Sequence, residues 1–127
     1  MNFPSNLRYT KEHEWIRMED KMGVIGISDF AQDQLGDVVF VELPEIGRTL
    51  KASEAMGVVE SVKTVSDIFC PVEGKVIEVN KALNDQPEII NSDPYEKGWM
   101  VKIEVMNPDA VGDLLDHQAY EALTQES

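Results

Sequence analysis

The sequence predicts a mainly β fold, with a short helix in the first third and a second helix at the end. Three observations carry this. Runs rich in Val, Ile and aromatic residues recur between Gly, Pro and Asp punctuation, as at 38–43, 57–62 and 99–105. Two of them alternate apolar and polar residues: "KVIEVN" from Lys75, and "KIEV" from Lys102. The tail changes period, because Leu115, Ala119, Ala122 and Leu123 fall at i, i+4, i+7 and i+8, one face of a helix.

Taken in order, "HEWIRMEDKMGVIGIS" reads as two strands joined by a polar turn around Glu19 to Gly23. "SDFAQDQLGD" reads as the short helix, capped by Ser28 and ended by Gly36 in a left-handed conformation. A strand follows from Val38 to Leu43, closed by a turn at Pro44 to Gly47. "EAMGVVES" and "TVSDIFCPVEG" are strands that flank Lys63. "NSDPYEKG", from Asn91 to Gly98, is a long turn, and a strand from Trp99 to Val105 follows it. Asp113 is the expected cap of the last helix. Phe40 and Trp99 are expected in the core. "GDVVFVE" at Gly36 and "GKVIEVN" at Gly74 echo each other, each followed by a proline turn, so a pseudo-symmetric β-sandwich would carry Lys63 at a tip between the copies. The organisation is a single domain over 1–127, with a core of about 9–106 and a closing helix of about 109–124.

Composition removes several functions. A net charge of −13 and 11 Lys and Arg among 127 residues leave no basic patch for nucleic acid, and an anionic membrane would repel the chain. Basic partner surfaces are favoured, with salt-sensitive contacts, and the charge favours a monomer. One cysteine, Cys70, allows no internal disulfide and is read as a small buried residue. No secretory leader or membrane span is legible. A cytoplasmic bacterial protein is the simplest reading, with a processed mitochondrial form as the alternative. His13 and His117, the only histidines, are far apart, and no phosphate loop, nucleophile set or metal set converges, so no catalytic site is expected.

Lys63 is the residue that raises a question. It sits in "GVVESVKTVSD" with no acid beside it, and Glu60 and Asp67 lie further out. One reading is a solvated turn lysine. The other is an amine mounted on a rigid hairpin so that a modifying enzyme can reach it. Glu12, His13 and Glu14 form a polar cluster before Trp15, read from the residues alone as a solvated strand entry.

Four blocks resolve the choice by resemblance: "YTKEHEW", "GISDFAQDQLGDVVFVELPEIG", "ESVKTVSDIFCPVEGKVIEVN" and "INSDPYEKGWMVKIEV". In that order, from Tyr9 to the last helix, the chain resembles the H-protein family of the glycine cleavage system. Thr64 and Cys70 depart mildly from the family pattern, at positions where alanine, or alanine and serine, are usual. The resemblance implies a barrel-sandwich hybrid of the lipoyl/biotinyl-domain kind, with lipoate on Lys63 as a swinging arm. It implies a non-catalytic carrier in glycine catabolism and one-carbon metabolism. The arm would take an aminomethyl group from the P protein (glycine decarboxylase) to the T protein (aminomethyltransferase), and the L protein (dihydrolipoamide dehydrogenase) would reoxidise it. A lipoyl or octanoyl transferase, or a lipoate ligase, would load Lys63, with recognition around the hairpin at Glu60, Ser61, Val62 and Asp67. A cleft for the loaded arm would involve Glu12, Glu14, Asp67 and His13, with Glu14 the main anchor of the ammonium.

Other readings stay open at this stage. An H-like carrier could donate lipoyl groups to another pathway through the same mount. A biotin carrier fits less well, since Val62 and Thr64 replace the Met on each side expected there. An unmodified acidic β-sandwich acting as a binding module would leave Lys63 bare.

Overall fold

The strands form two sheets in the computed structural model, which describes residues 1–125; Glu126 and Ser127, the end of the expected domain, lie outside the described residues. The larger sheet has the order β1-β2-β3-β9-β8-β5 and the smaller β4-β6-β7. All neighbours are antiparallel. The larger sheet comprises β1 (Arg8–Tyr9), β2 (Glu14–Glu19), β3 (Met22–Ile27), β5 (Thr49–Leu50), β8 (Gly74–Val79) and β9 (Val101–Val105). The smaller comprises β4 (Val38–Glu42), β6 (Ala55–Ser61) and β7 (Val65–Phe69). The echoing segments, β4 and β8, therefore fall in different sheets.

The alternation of β-strands explains the main core. Ile16 and Ile25, paired across β2 and β3, meet Val76, Ile103 and Val105 of the same sheet and Val41, Val59 and Ile68 of the other. On the far side of β2, Trp15 joins a second cluster with Leu7, Tyr9, Val24, Tyr95 and Tyr120. Burial thus reaches from Leu7 to Tyr120, wider than the expected core of 9–106. Trp99 is only partly buried, packed against this second cluster with the Lys102 ammonium 5.0 Å from its ring centre.

Phe40 corrects the sequence reading, because it is 52% exposed. The register between β4 and β6 shifts between Val38 and Phe40, so an extra residue enters the strand. Val38 and Val41 point to the core, and both Val39 and Phe40 stay outside.

The tail also differs from expectation. The helix expected over about 109–124 is two pieces, α4 (Asp109–Gly112) and α5 (His117–Gln125). Leu115 lies between them and forms a backbone bridge with Tyr9, N–H to O in both directions at 2.8 and 3.0 Å. That bridge takes the groups a continuous helix would need. Asp116, rather than Asp113, caps α5: its Oδ1 accepts the Ala119 N–H at 2.8 Å. The break resets the helical phase, so Tyr120 is buried while Ala119 and Ala122 are exposed. Tyr120 stacks on Tyr9, ring centres 4.5 Å apart and nearly parallel. Its hydroxyl meets Ser28 Oγ at 2.6 Å and His13 Nδ1 at 2.8 Å. Ser28 also caps α1 (Asp29–Leu35), accepting the Ala31 N–H at 3.1 Å, as its sequence position predicts.

The long turn from Asn91 to Gly98 is likewise more ordered than expected. The short helices α2 (Ala82–Asp85) and α3 (Ile89–Ser92) precede and enter it, and Asn91 lies within α3. The Asn91 amide holds the turn between α1 and β4. Its Oδ1 accepts the Val38 N–H at 2.9 Å, and its Nδ2 donates to Gly36 O at 2.8 Å and Gln32 Oε1 at 3.0 Å. Replacing Asn91 by Ala strands a partly buried N–H and carbonyl, which should cost about 2–3 kcal/mol. Urea unfolding measures this, and the Val38 and Val62 amides should also exchange faster. A loss below about 0.5 kcal/mol would show that the clamp does not hold the turn.

Candidate functional site

Lys63 stands exposed between β6 and β7. Ser61 builds the turn beneath it. The Ser61 N–H donates to Thr64 O at 2.8 Å, and its buried hydroxyl accepts the Lys63 and Thr64 N–H groups at 3.3 and 3.1 Å. The backbone on both sides of the lysine is fixed. The Val62 N–H donates to Asp37 O at 3.0 Å, so the tip rests on the α1–β4 turn that Asn91 holds. Gly36 serves that turn twice. Its φ of +79° suits glycine, and a Cβ there would stand 3.3 Å from Lys63 Cε and 3.8 Å from Nζ. None of the ion pairs among the described residues includes Lys63. The site offers a primary amine on a rigid mount, with space along its stem and no carboxylate of the described residues bonded to it.

A cavity of about 530 Å³ lies between the β1–β2 loop, the end of β7 and the α4–α5 connection. Glu12, Glu14, Phe69, Cys70, Leu114 and Leu115 line part of it. Glu14 is only 1% exposed and sits at its base. Thr10 Oγ1 donates to Glu14 Oε1 at 2.5 Å, and the Phe69 N–H donates to Oε2 at 3.3 Å. Burial pushes the Glu14 carboxyl up from 4.5 to about 6, with Glu12 adding to the rise and the two hydrogen bonds opposing it. A carboxylate with little water around it pairs strongly with a cation, and Lys11 lines the same cavity. Cys70 is buried too, its thiol pushed up to about 11 by that burial and its Sγ donating to Val72 O at 3.0 Å. At neutral pH it is a thiol rather than a nucleophilic thiolate.

The polar cluster expected as a solvated strand entry is split. Glu12 is exposed and Glu14 is buried, and both line the cavity. His13 turns away at a φ of +75° toward Tyr120 and Phe30. Burial lowers its pKa, against the pull of Glu12. Asp67 lines a different cleft, of about 400 Å³, with Glu42, Arg48 and Val58. Phe69, two residues further along β7, lines the first cavity, and the register shift beside it places an extra residue, Met56, on β6. Of the hairpin residues, Glu60, Val62 and Asp67 are exposed, whereas the Ser61 hydroxyl is engaged within the turn. Sequence reasoning missed Thr10 and Asn91. Thr10 stands four residues before Glu14, a spacing that only the tight loop, with the Thr10 N–H on Glu14 O, makes meaningful. Asn91 sits in a polar run that reads as a turn.

The comparisons with known proteins agree with this geometry. The family model for the glycine cleavage H-protein matches residues 7–127. A glycine cleavage system H protein of Symbiobacterium thermophilum is 62% identical over 125 residues, 98% of each chain. One from Bacteroides thetaiotaomicron is 52% identical over 123 residues, 97% of this chain and 98% of that one. The crystal structure of a glycine cleavage system H protein from Mycobacterium marinum superposes with a TM-score of 0.86, at 42% identity, covering 98% of both chains. The fold is therefore the expected lipoyl-domain-like sandwich of two sheets with a C-terminal helix. The chain belongs to the glycine cleavage H-protein family, the carrier component of that system.

Proposed function

We propose that this chain is the lipoyl carrier of a glycine cleavage system, with lipoate in an amide bond to Lys63. It shuttles an aminomethyl group between the P and T proteins, and the L protein restores its disulfide. The observation that carries this reading is the mount of Lys63: exposed, outside every ion pair among the described residues, and held on a turn whose Gly36 leaves room for the stem. When bound, lipoate supplies a disulfide that opens and closes reversibly. The chain's own residues do the rest. Ser61 and Asn91 orient the root of the arm. Glu60, Val62 and Asp67 offer exposed recognition features around it. β7 runs from the hairpin to Phe69 at the cavity, where Glu14 anchors an ammonium and Phe69, Leu114 and Leu115 exclude water. No residue of the chain is assigned a catalytic role. Contacts with the three partner proteins are transient and salt-sensitive, as the charge of −13 favours. We read the chain as one carrier domain acting as a monomer in the bacterial cytoplasm. The bacterial relatives support that location, and no helix among the described residues is long and apolar enough to cross a membrane.

Intact-mass analysis after incubation with a lipoate ligase, lipoate and ATP tests the attachment. One lipoyl addition should map to Lys63 and vanish in Lys63→Arg; no addition, from a ligase active on another acceptor, would remove the reading.

Glu14 makes a second test. Its folded-state pKa of about 6 lies above the unfolded 4.5, so its contribution to stability is fully present below pH 4.5 and lost as pH rises through 6. The charged form therefore costs on the order of 2 kcal/mol at pH 7.5. Glu14→Gln should raise unfolding stability at pH 7.5 by about 1–2 kcal/mol, with the difference vanishing near pH 4. An equal effect at both pH values in urea melts would show that the carboxylate is not strained by its burial.

A further inference from the structure

The outer face of the smaller sheet is unusual beside Lys63. Phe40, Glu60 and Val65 lie in one cross-strand row at the hairpin end, and all three are exposed. The next outward-facing row is Glu42, Val58 and Asp67. Val39, Phe40, Val62 and Val65 are 51%, 52%, 69% and 61% exposed, and they are half of the exposed large hydrophobic residues among the described ones. Single exposed apolar residues need no explanation; four gathered around one lysine do. The bulge between Val38 and Phe40 sharpens the point. In a regular ladder one of two consecutive residues would turn inward, but the bulge keeps both Val39 and Phe40 at the surface.

We propose that this face, centred on Val39 and Phe40, is the docking surface of the enzyme that acylates Lys63, a partner apolar at the centre of its contact and basic at the rim. The proposal rests on the reading of Lys63 as the attachment site. Charge complementarity argues the rim: Asp37, Glu42, Glu60 and Asp67 surround the apolar residues, all exposed, on a chain of charge −13. Reach argues the occupant. An enzyme that forms the amide must bring its acyl donor to Nζ itself, which lies back against the Gly36 turn. It must therefore close over the hairpin tip and cover the residues at its root. Enzymes that work at the far end of a loaded arm stand an acyl chain away and need not touch this face. In the acylation, the lysine ammonium first gives one proton to solvent; the neutral nitrogen attacks the activated acyl carbonyl of lipoyl-adenylate, AMP leaves with the electron pair of the broken acyl–phosphate bond, and the nitrogen releases a second proton and keeps one hydrogen in the amide.

The test compares the wild-type apo-protein with a Val39→Ser/Phe40→Ser variant as substrates of a lipoate ligase supplied with lipoate and ATP. Intact mass follows the product, and calorimetry of apo-protein with ligase gives the affinity directly. Both substituted side chains are already half exposed, so the thermal melt should be unchanged. We expect KM for the carrier and the Kd to rise at least tenfold, with kcat within twofold of wild type. Ile46→Ser/Met106→Ser, at exposed residues in other connecting segments, should leave both unchanged. Glu60→Lys should weaken binding and flatten its salt dependence. A wild-type KM and Kd for Val39→Ser/Phe40→Ser would overturn the proposal while leaving Lys63 as the attachment site. A wild-type dimer that this variant dissociates, with KM unaltered, would overturn it in favour of a second copy of the chain. No acylation of wild type at all would overturn the Lys63 reading and the proposal together.

Discussion

The Asn91 amide is the constraint on which the placement of Lys63 depends. Only an amide offers an acceptor for the Val38 N–H and donors for Gly36 O and Gln32 Oε1 in one planar group. An aspartate would set a carboxylate against two oxygens. With the turn so held, Gly36 takes its positive φ, the chain enters β4, and Asp37 O is in place to accept the Val62 N–H. The hairpin tip is thus supported from below by a segment distant in sequence. A two-stranded hairpin is marginal alone. Here the tip is fixed at its turn by Ser61 and at its side by Asp37, so the lysine is displayed from a defined direction.

The cleft follows the opposite logic. Glu14 is buried at a cost, and its neighbours reduce that cost without cancelling it. The wall facing it comes from the tail, because Leu115 pairs its backbone with Tyr9 instead of continuing the helix. Tyr120 then stacks on Tyr9 and reaches Ser28 and His13. The Tyr120 hydroxyl bridges Ser28 Oγ and His13 Nδ1, and Ser28 Oγ also accepts the Ala31 N–H. Burial lowers the pKa of His13 and so favours its neutral form there. The network thus ties the start of α1, the β1–β2 loop and α5 together behind the cleft.

Local chemistry made much of this legible in the sequence. Ser28 and Gly36 announce α1 because capping is decided within four residues. The strands are legible because alternation is a local signature, and the hairpin position of Lys63 follows from the runs beside it. What failed was non-local. Phe40 looked like core because a bulge cannot be read from one strand; it is a mismatch between two. The tail reads as one helix because the competing partner, Tyr9, lies at the other end of the chain. The Glu12-His13-Glu14 cluster looked solvated because nothing local shows that Phe69 and Leu115 close over the middle of it. Asn91 looked like a turn residue, and its three partners stand more than fifty residues before it.

Two bulges in the smaller sheet, one on β4 and one on β6, stand where the sheet meets opposite demands at its ends. A regular antiparallel pair presents the same face along its length, so a surface open to partners at one end would remain open at the other. Here the register shifts between Val38 and Phe40 beside the tip, and again between Ala55 and Gly57 at the base. The first shift keeps Val39 and Phe40 outside beside an exposed lysine. The second inserts Met56 of β6 opposite the step from Ile68 to Phe69, where β7 reaches the wall over Glu14. Exposure at the tip and enclosure at the base are thus met within one three-stranded sheet, with the length of β7 between them. On the proposed reading, that length separates loading from protection: the enzyme that acts at the tip never needs to open the cleft, and the cleft never has to compete with the tip for the same apolar surface.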